Sequence, residues 1–189
     1  MTLSLAEIAR YMRMGRDVPD GQLARRVEAL RDEALRTIRP ARVWRRFPVR
    51  DNAISSGGVR LALGGTLMRH IAGCRDAFLV CGTIGAGFDS FQRRVSIASG
   101  ADALIAQAIG AAAVERWMDA VEDEMRAELT EGESLAPRYS PGYGTFPLAA
   151  QRELLALLDA PRKVGVSLTD NLLMVPSKSV SAVIGVKKG

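Results

Sequence analysis

The stretch DAFLVCGTI, residues 76–84, is the clearest strand signal in the chain. It is an almost unbroken apolar run of strand length, and glycines lie close to both of its ends, at Gly73 and Gly85. A short apolar run between turn residues is typical of a central strand. This run predicts the central strand of a sheet, and the other elements are placed around it.

Helical periodicity dominates on both sides of this strand. Apolar residues recur at helical spacing in residues 3–14, 20–38, 88–99 and 102–129, and shorter patterns predict helices at 66–71 and 147–158. In the longest helix we expect Leu104, Trp117 and Met125 to face the core, with Glu115 and Glu122 mostly outward. A long helix is therefore predicted to pack across the sheet.

The remaining strand signals define the fold class. Residues 42–50 alternate as a half-exposed strand with arginines outward, and two β-rich runs at 171–175 and 179–186 predict a hairpin or a bend between them. Residues 131–143, rich in glycine and proline, predict a loop. Since no regular βαβ alternation is present, the predicted fold is α+β, with helices packed around a mainly antiparallel, twisted sheet. The 189 residues, 48% of them hydrophobic, suit a single domain over 1–189.

Composition limits the location and the partners. No apolar run approaches the roughly 20 residues that span a bilayer, and the first fifteen residues form no signal-peptide block, so a cytoplasmic protein without a membrane segment is expected. Cys74 and Cys81 are expected to be reduced, buried thiols, and no metal site is predicted, because a zinc site would need a cluster of Cys or His ligands.

The positive charge belongs to the N-terminal third. Residues 1–60 hold thirteen arginines and seven acidic residues. Because aromatic content is only 5% and no zinc-finger or arginine-glycine pattern is present, nucleic acid is not the predicted partner, although it remains a rival hypothesis. We expect Arg42, Arg45, Arg46 and Arg50 to dock an acidic protein such as a flavodoxin, with an affinity that falls as salt rises; the alternative is that they form only a solvated surface.

The most informative polar segment is RYSPGY, residues 138–143. Arg138 can hold a carboxylate with two parallel hydrogen bonds, and Gly142, in a tight turn with Ser140 and Pro141, lets the backbone approach a ligand. Tyr143 offers a ring face and a hydroxyl. A sulfonium amino acid such as S-adenosylmethionine has the matching carboxylate. From spacing alone, an ordinary interhelical turn is an equally good interpretation.

Two other features favour structural roles. His70, in the sequence His70-Ile71-Ala72-Gly73, lacks the preceding acidic residue of a cobalt-ligating motif, and we expect it to be a structural residue on a short helix. The glycine-rich stretch at 82–87 is not in the order of a dinucleotide fingerprint, which favours a tight turn from strand to helix.

Three spaced motifs resemble the activation domain of cobalamin-dependent methionine synthase. They are R-x-x-P-G-Y at 138–143, L-T-D-x-x-x-M-x-P at 168–176 and S-V-S at 179–181, and residues 42–47 and 80–85 also resemble the shorter, free-standing members. The resemblance implies that Arg138 holds the carboxylate of S-adenosylmethionine. It further implies that backbone near Ser140, Pro141 and Gly142 cradles the amino-acid portion and that Tyr143 borders the sulfonium.

The resemblance also implies a function. The chain is expected to bind S-adenosylmethionine and support reductive remethylation of cob(II)alamin on a separate cobalamin-binding methionine synthase subunit or corrinoid protein, with an electron from flavodoxin or a similar donor. No catalytic residue is assigned, because the chemistry belongs to the cobalt. The alternative is a docking module for another corrinoid methyltransferase that does not bind S-adenosylmethionine.

This chain departs from the longer members of the family in its ligand shell. No secure equivalent is found for an N-terminal acidic residue that contacts the ligand, nor for a tyrosine beyond the S-V-S strand. Asp170 stands where the longer form has glutamate. It is expected either to contact the ligand or to cap a turn.

Overall fold

A computed structural model describes residues 1–14 and 17–189. The N-terminal stretch that was predicted not to be a signal peptide ends at Gly15, which lies outside the described residues, as does Arg16. The helices, in chain order, are α1 (Leu5–Tyr11), α2 (Gly21–Thr37), α3 (Thr66–His70), α4 (Ala86–Ala98), α5 (Gly100–Arg126), α6 (Gln151–Leu158) and α7 (Ala160–Val164), with a 3₁₀ turn at Leu148–Ala150. The strands are β1 (Ala41–Pro48), β2 (Ala53–Ser56), β3 (Val59–Ala62), β4 (Asp76–Thr83), β5 (Glu133–Leu135), β6 (Ser167–Leu168), β7 (Met174–Val175) and β8 (Ser179–Lys188).

The main sheet is antiparallel throughout, in the order β1-β4-β8-β5. The predicted central strand is confirmed: β4 pairs with β1 on one side and with β8 on the other, and its last seven residues are buried. Two-stranded ladders, β2-β3 and β6-β7, complete the strands. The predicted α+β class with a mainly antiparallel sheet is confirmed.

Both faces of the sheet are covered. Helix α5 packs Met118, Val121 and Met125 against one face, which presents Phe78 and Ile184. The other face packs against α6, α7 and the β2-β3 ladder, in a cluster that includes Leu79, Val183 and Leu154. Coverage on both faces explains why β4 is a continuous apolar run without polar alternation. A third cluster joins α1, α2, α4 and the N-terminal half of α5.

Several expectations for individual residues were wrong. Leu104 is 74% exposed, because α5 is phased so that its neighbours Ile105, Ala108 and Ile109 face the core. Glu122, expected outward, is 9% exposed. Glu122 can be buried because it forms ion pairs with Arg126 and Arg138.

The connection between the two C-terminal runs is the bend, one of the two predicted alternatives, and it lies at residues 176–178. The runs at 171–175 and 179–186 do not form a hairpin with each other, because β7 pairs with β6 while β8 pairs with β4 and β5. The partner of β7 was not predicted, because β6 is only two residues long and gives no alternation signal. Likewise, the predicted loop at 131–143 contains β5.

The predicted tight turn from strand to helix is confirmed between β4 and α4, and its glycines permit close packing. Gly85 has φ +89°, and a Cβ atom there would lie 2.6 Å from the carbonyl oxygen of Arg39. A Cβ on Gly87 would collide with the carbonyl oxygen of Thr37. These glycines let the α2-β1 connection cross the turn at close range.

Candidate functional site

The segment that carries Arg138 runs along the edge of β8. Ala136 donates its N–H to the Gly185 carbonyl at 2.8 Å, and Tyr139 and Val183 exchange backbone hydrogen bonds of 3.0 and 2.9 Å. Arg138 is therefore held beside the sheet. We call residues 137–146 the Arg138 loop.

The guanidinium of Arg138 lies among three carboxylates of α5. Its Nη2 is 2.9 Å from Oε2 of Glu115 and 3.1 Å from Oδ1 of Asp119, and its Nε is 3.0 Å from Oε1 of Glu122. The Arg138 side chain is only 19% exposed. Its Nη1 is buried and has no hydrogen-bond partner among the described residues. This arginine is thus an internal ion-pair centre with one donor nitrogen left over.

The three acids share one face of α5 because they follow the spacing i, i+4 and i+7. The set was not predicted, because acidic residues of this helix were expected to face solvent. Their i, i+4, i+7 spacing is nevertheless visible in the sequence. Burial raises the pKa of Glu122, while Arg138 and Arg126 act to lower it. Glu115 and Asp119 are more exposed, at 44% and 62% of their side chains, and can reach a ligand.

A tight turn follows Arg138. Gly142 has φ +92° and donates to the Phe146 carbonyl at 2.9 Å, and Tyr143 N–H donates to the Ser140 carbonyl at 3.3 Å. Pro141 is buried, whereas Tyr143 is 66% exposed. The positive φ explains the glycine in this motif. The predicted residues Arg138, Ser140, Pro141, Gly142 and Tyr143 therefore form one compact turn with its tyrosine ring toward solvent.

Asp170 lies in a separate element, the turn of the β6-β7 ladder, residues 167–175, which we call the Asp170 hairpin. This turn is closed by its own residues: Thr169 N–H donates to the Leu173 carbonyl at 2.9 Å, and Leu173 N–H donates to Oγ1 of Thr169 at 3.1 Å. Asp170 itself is exposed. The structure shows no contact between Asp170 and the Arg138 loop among its hydrogen bonds and ion pairs within the described residues.

Two clefts border the acidic side of Arg138. One, of about 60 Å³, lies between α1 and α5 and is lined by Tyr11, Glu115 and Asp119. The other, of about 410 Å³, is lined by Met1, Trp117, Asp119 and Asp123. Small-molecule sites commonly occupy roughly 300–1,000 Å³. The larger cleft is in that range, and it shares Asp119 with the ion-pair centre.

The arginine patch predicted on β1 is partly neutralised within the chain. Arg42 pairs with Glu124 at 2.6 Å and stacks between the rings of Trp44 and Trp117, 5.3 and 5.6 Å from their centroids. Arg46 pairs with Asp76 and Glu133 at 2.8 and 2.6 Å. Arg45 and Arg50 are exposed, and neither forms an ion pair within residues 1–14 and 17–189. Docking by this patch stays a prediction, and its free charge rests on Arg45 and Arg50.

The cysteines and possible metal ligands give no further site. Cys74 and Cys81 are both free; Cys81 is buried as expected, whereas Cys74 is only partly buried because it lies in the turn before β4. Burial raises the pKa of Cys81 to about 12, which suppresses its thiolate. In the described part of the chain, no group of three His, Cys, Asp or Glu side chains could hold a metal ion. No helix of the described residues is long and apolar enough to cross a membrane.

The fold and the loop together define a small α+β protein whose candidate ligand loop is fixed at the edge of an antiparallel sheet. Residues 101–188, a little under half of the chain, match the sequence model of the vitamin B12 dependent methionine synthase activation domain. All three motifs and all six predicted site residues lie in this range. The resemblance to the activation domain family is therefore confirmed.

A solved structure supports the same fold. The chain is similar to the MetH reactivation domain, whose crystal structure is bound to AdoHcy, with a TM-score of 0.59 and 14% sequence identity over 88% of this chain and 67% of that one. No curated protein matches the chain. At this identity the structural match establishes the fold.

Proposed function

We propose that residues 1–189 form one activation-domain-like unit that binds S-adenosylmethionine and supports reductive remethylation of cob(II)alamin on a separate corrinoid protein. The observation that carries this proposal is the charge arrangement around Arg138 inside the family motif. The ligand, when bound, supplies the methyl group, and the corrinoid and its electron donor, flavodoxin or a similar protein, belong to partners.

The ion-pair centre suits an amino-acid zwitterion. Nη1 of Arg138 has no partner among the described residues but is buried, so a ligand carboxylate reaches the guanidinium only when its neighbours shift, whereas the half-exposed carboxylates of Glu115 and Asp119 are accessible acceptors for an ammonium. Cation and anions side by side match the two charges of the amino-acid end. We therefore assign this end of the ligand to Arg138, Glu115 and Asp119.

The remaining parts of the ligand have space on both sides of the ion-pair centre around Arg138. The backbone of Ser140 and Gly142, with the exposed ring of Tyr143, lies on the loop side, and the 410 Å³ cleft begins at Asp119. A cationic sulfur is attracted to ring faces, which favours the loop side for the sulfonium. Asp170 is a candidate contact only if the ligand reaches the Asp170 hairpin.

Titration calorimetry with S-adenosylmethionine tests the proposal directly. We expect saturable binding with one site per chain, and weaker binding in Asp119→Asn, which removes the acceptor charge without changing shape. Absence of binding by the wild-type protein would overturn the proposed function and leave the alternative, a docking module for a corrinoid methyltransferase.

The corrinoid assignment has its own test. Because the chain has no acid-histidine-glycine cobalt ligand set, we expect the purified protein to be colourless. Copurification of a stoichiometric corrinoid with a histidine-ligated cobalt spectrum would contradict the assignment of cobalamin to a partner.

A further inference from the structure

The short helix α3 contacts the Arg138 loop at both of its ends. At the C-terminal end of α3, Nε2 of His70 lies 2.8 Å from the carbonyl oxygen of Pro137. A carbonyl can only accept, so Nε2 carries the proton and donates. The ring of His70 also lies 4.9 Å from the ring of Tyr139. The chain's one histidine is thus attached to the peptide unit directly before Arg138.

The first residue of α3 holds the far side of the loop. Thr66 N–H donates to Oγ1 of Thr145 at 2.9 Å, and Thr145 N–H donates to Oγ1 of Thr66 at 3.1 Å. The Thr66 hydroxyl also shares a hydrogen bond with the Tyr139 hydroxyl. These reciprocal bonds link the start of α3 to the residues that follow Tyr143.

Two glycines make this contact possible. Gly65 has φ +60°, and a Cβ there would collide with the Thr145 side chain. Gly144 has φ +52°, and a Cβ there would collide with the Thr66 hydroxyl and lie 2.7 Å from the Tyr139 hydroxyl. The two segments approach more closely than side chains would permit.

We infer that α3 is a clamp that positions the ligand loop, with His70 and Thr66 as its positioning residues. This inference rests on the proposed function, since it concerns the same site. The two residues are separated by one helical turn, and their contacts on the loop, Pro137 and Thr145, lie on either side of residues 138–143. The clamp therefore brackets the whole motif, residues 138–143.

The physical effect of a clamp is preorganisation. A free loop would lose conformational entropy when the ligand orders it, and a loop already fixed at both ends loses less. Arg138 gains most, because its guanidinium must meet the ligand at a defined angle. Removing a clamp bond should therefore weaken ligand binding while leaving every proposed ligand contact chemically intact.

Paired substitutions test the clamp through S-adenosylmethionine affinity. His70→Ala removes the bond to Pro137, and Thr66→Val removes the two bonds of the Thr66 hydroxyl but keeps its backbone N–H bond. His70→Gln offers an amide N–H near the Nε2 position, and Thr66→Ser keeps the hydroxyl. We expect about a fivefold loss in the first pair, the equivalent of one net hydrogen bond of about 1 kcal/mol. The second pair should recover most of this affinity. The matched control is Thr37→Val, which deletes a hydroxyl that bonds the Ala34 carbonyl at 2.7 Å in α2, away from the loop. Wild-type affinity in both His70→Ala and Thr66→Val would overturn the clamp.

A second measurement needs no ligand. Trypsin cleaves after arginine, so cleavage between Arg138 and Tyr139 reports release of the loop, relative to cleavage after the exposed Lys163 in the same sample. We expect faster relative cleavage in His70→Ala and Thr66→Val, and no change in Thr37→Val. If wild-type protein fails to bind S-adenosylmethionine, the proposed function is wrong, and the trypsin assay alone then tests whether α3 holds the loop. Unchanged relative cleavage in both clamp variants would refute it.

Discussion

The Arg138 loop and the Asp170 hairpin both carry clear motifs of the same family, yet the fold treats them differently. The Arg138 loop is tied to three carboxylates of α5 and to α3. The Asp170 hairpin is closed by bonds within its own turn, and Asp170 is exposed. A motif match therefore does not by itself show which residues are fixed in place for a ligand.

The largest effect is expected for Arg138→Ala. It should lower S-adenosylmethionine affinity by roughly ten- to hundredfold through loss of a charge-assisted contact. The ion pairs of Arg138 with α5 also make the side chain part of the folded structure. We expect a loss of about 1–3 kcal/mol in unfolding free energy, between values typical of exposed and buried pairs, because the buried Glu122 loses a partner. Thermal melting and calorimetry measure the two effects.

Arg138→Lys and Arg152→Ala serve as controls for this variant. Lysine keeps the charge but not the planar fork, so it should recover only part of both losses. Arg152 is exposed on α6, and its replacement should change neither quantity. A fully stable Arg138→Ala protein with wild-type affinity would remove the contrast between the two regions.

Glu122 should give the Arg138 region a distinctive pH dependence. Since burial raises its pKa in the folded state, the folded protein holds this proton more tightly than the unfolded chain. Stability from this group is therefore lost as pH rises through the window just above the ordinary glutamate value of 4.5. Relative to Glu122→Gln, which does not titrate, the wild type should lose unfolding free energy as pH increases across this window. Parallel curves for the two proteins in urea unfolding would contradict the raised pKa.

Gly142→Ala tests the turn itself. Alanine is strained at φ +92°, and its Cβ would also lie 3.3 Å from Cδ1 of Leu148. We expect a destabilisation of about 1 kcal/mol, with a several-fold loss of affinity because the backbone can no longer take the native turn. Gly165→Ala is the matched control, because Gly165 has φ +67° with open space around it. If both variants bind S-adenosylmethionine equally well, the turn geometry is not important for binding.

Tyr143→Phe should have a smaller effect. The Tyr143 ring is 66% exposed, and its proposed role is to offer a ring face, so deleting the hydroxyl should change affinity by less than about threefold. A tenfold loss in calorimetry would instead assign a hydrogen bond to the hydroxyl.

The smallest effect is expected for Asp170→Ala. An exposed residue in a turn closed by Thr169 should change neither melting temperature nor S-adenosylmethionine affinity measurably. Thr169→Val should remove the hydroxyl bond to the Leu173 N–H without changing S-adenosylmethionine affinity. A tenfold loss of affinity in Asp170→Ala would show that the hairpin reaches the ligand, and the two regions would then be equivalent.

The sequence alone determined much of this protein. The apolar run of β4, the periodicity of α2, α4 and α5, and the turn residues at 141–142 depend on local physics, namely burial, helical spacing and backbone freedom. The family resemblance came from the same local signals, because a motif is a short run of residues. The sequence did not predict the exposure of Leu104 or the pairing of β7 with β6, because helix phase and strand partners depend on residues far apart in the chain.

The partners of Arg138 come from tertiary packing. Its partners lie 16 to 23 residues away on α5, and the clamp residues His70 and Thr66 lie about 70 residues away. Such contacts form because packing α5 and α3 against the sheet brings their side chains to one edge, and no local pattern encodes that approach. A charged side chain becomes buried only when the fold supplies its partners, which is why the ion-pair centre was absent from the sequence prediction.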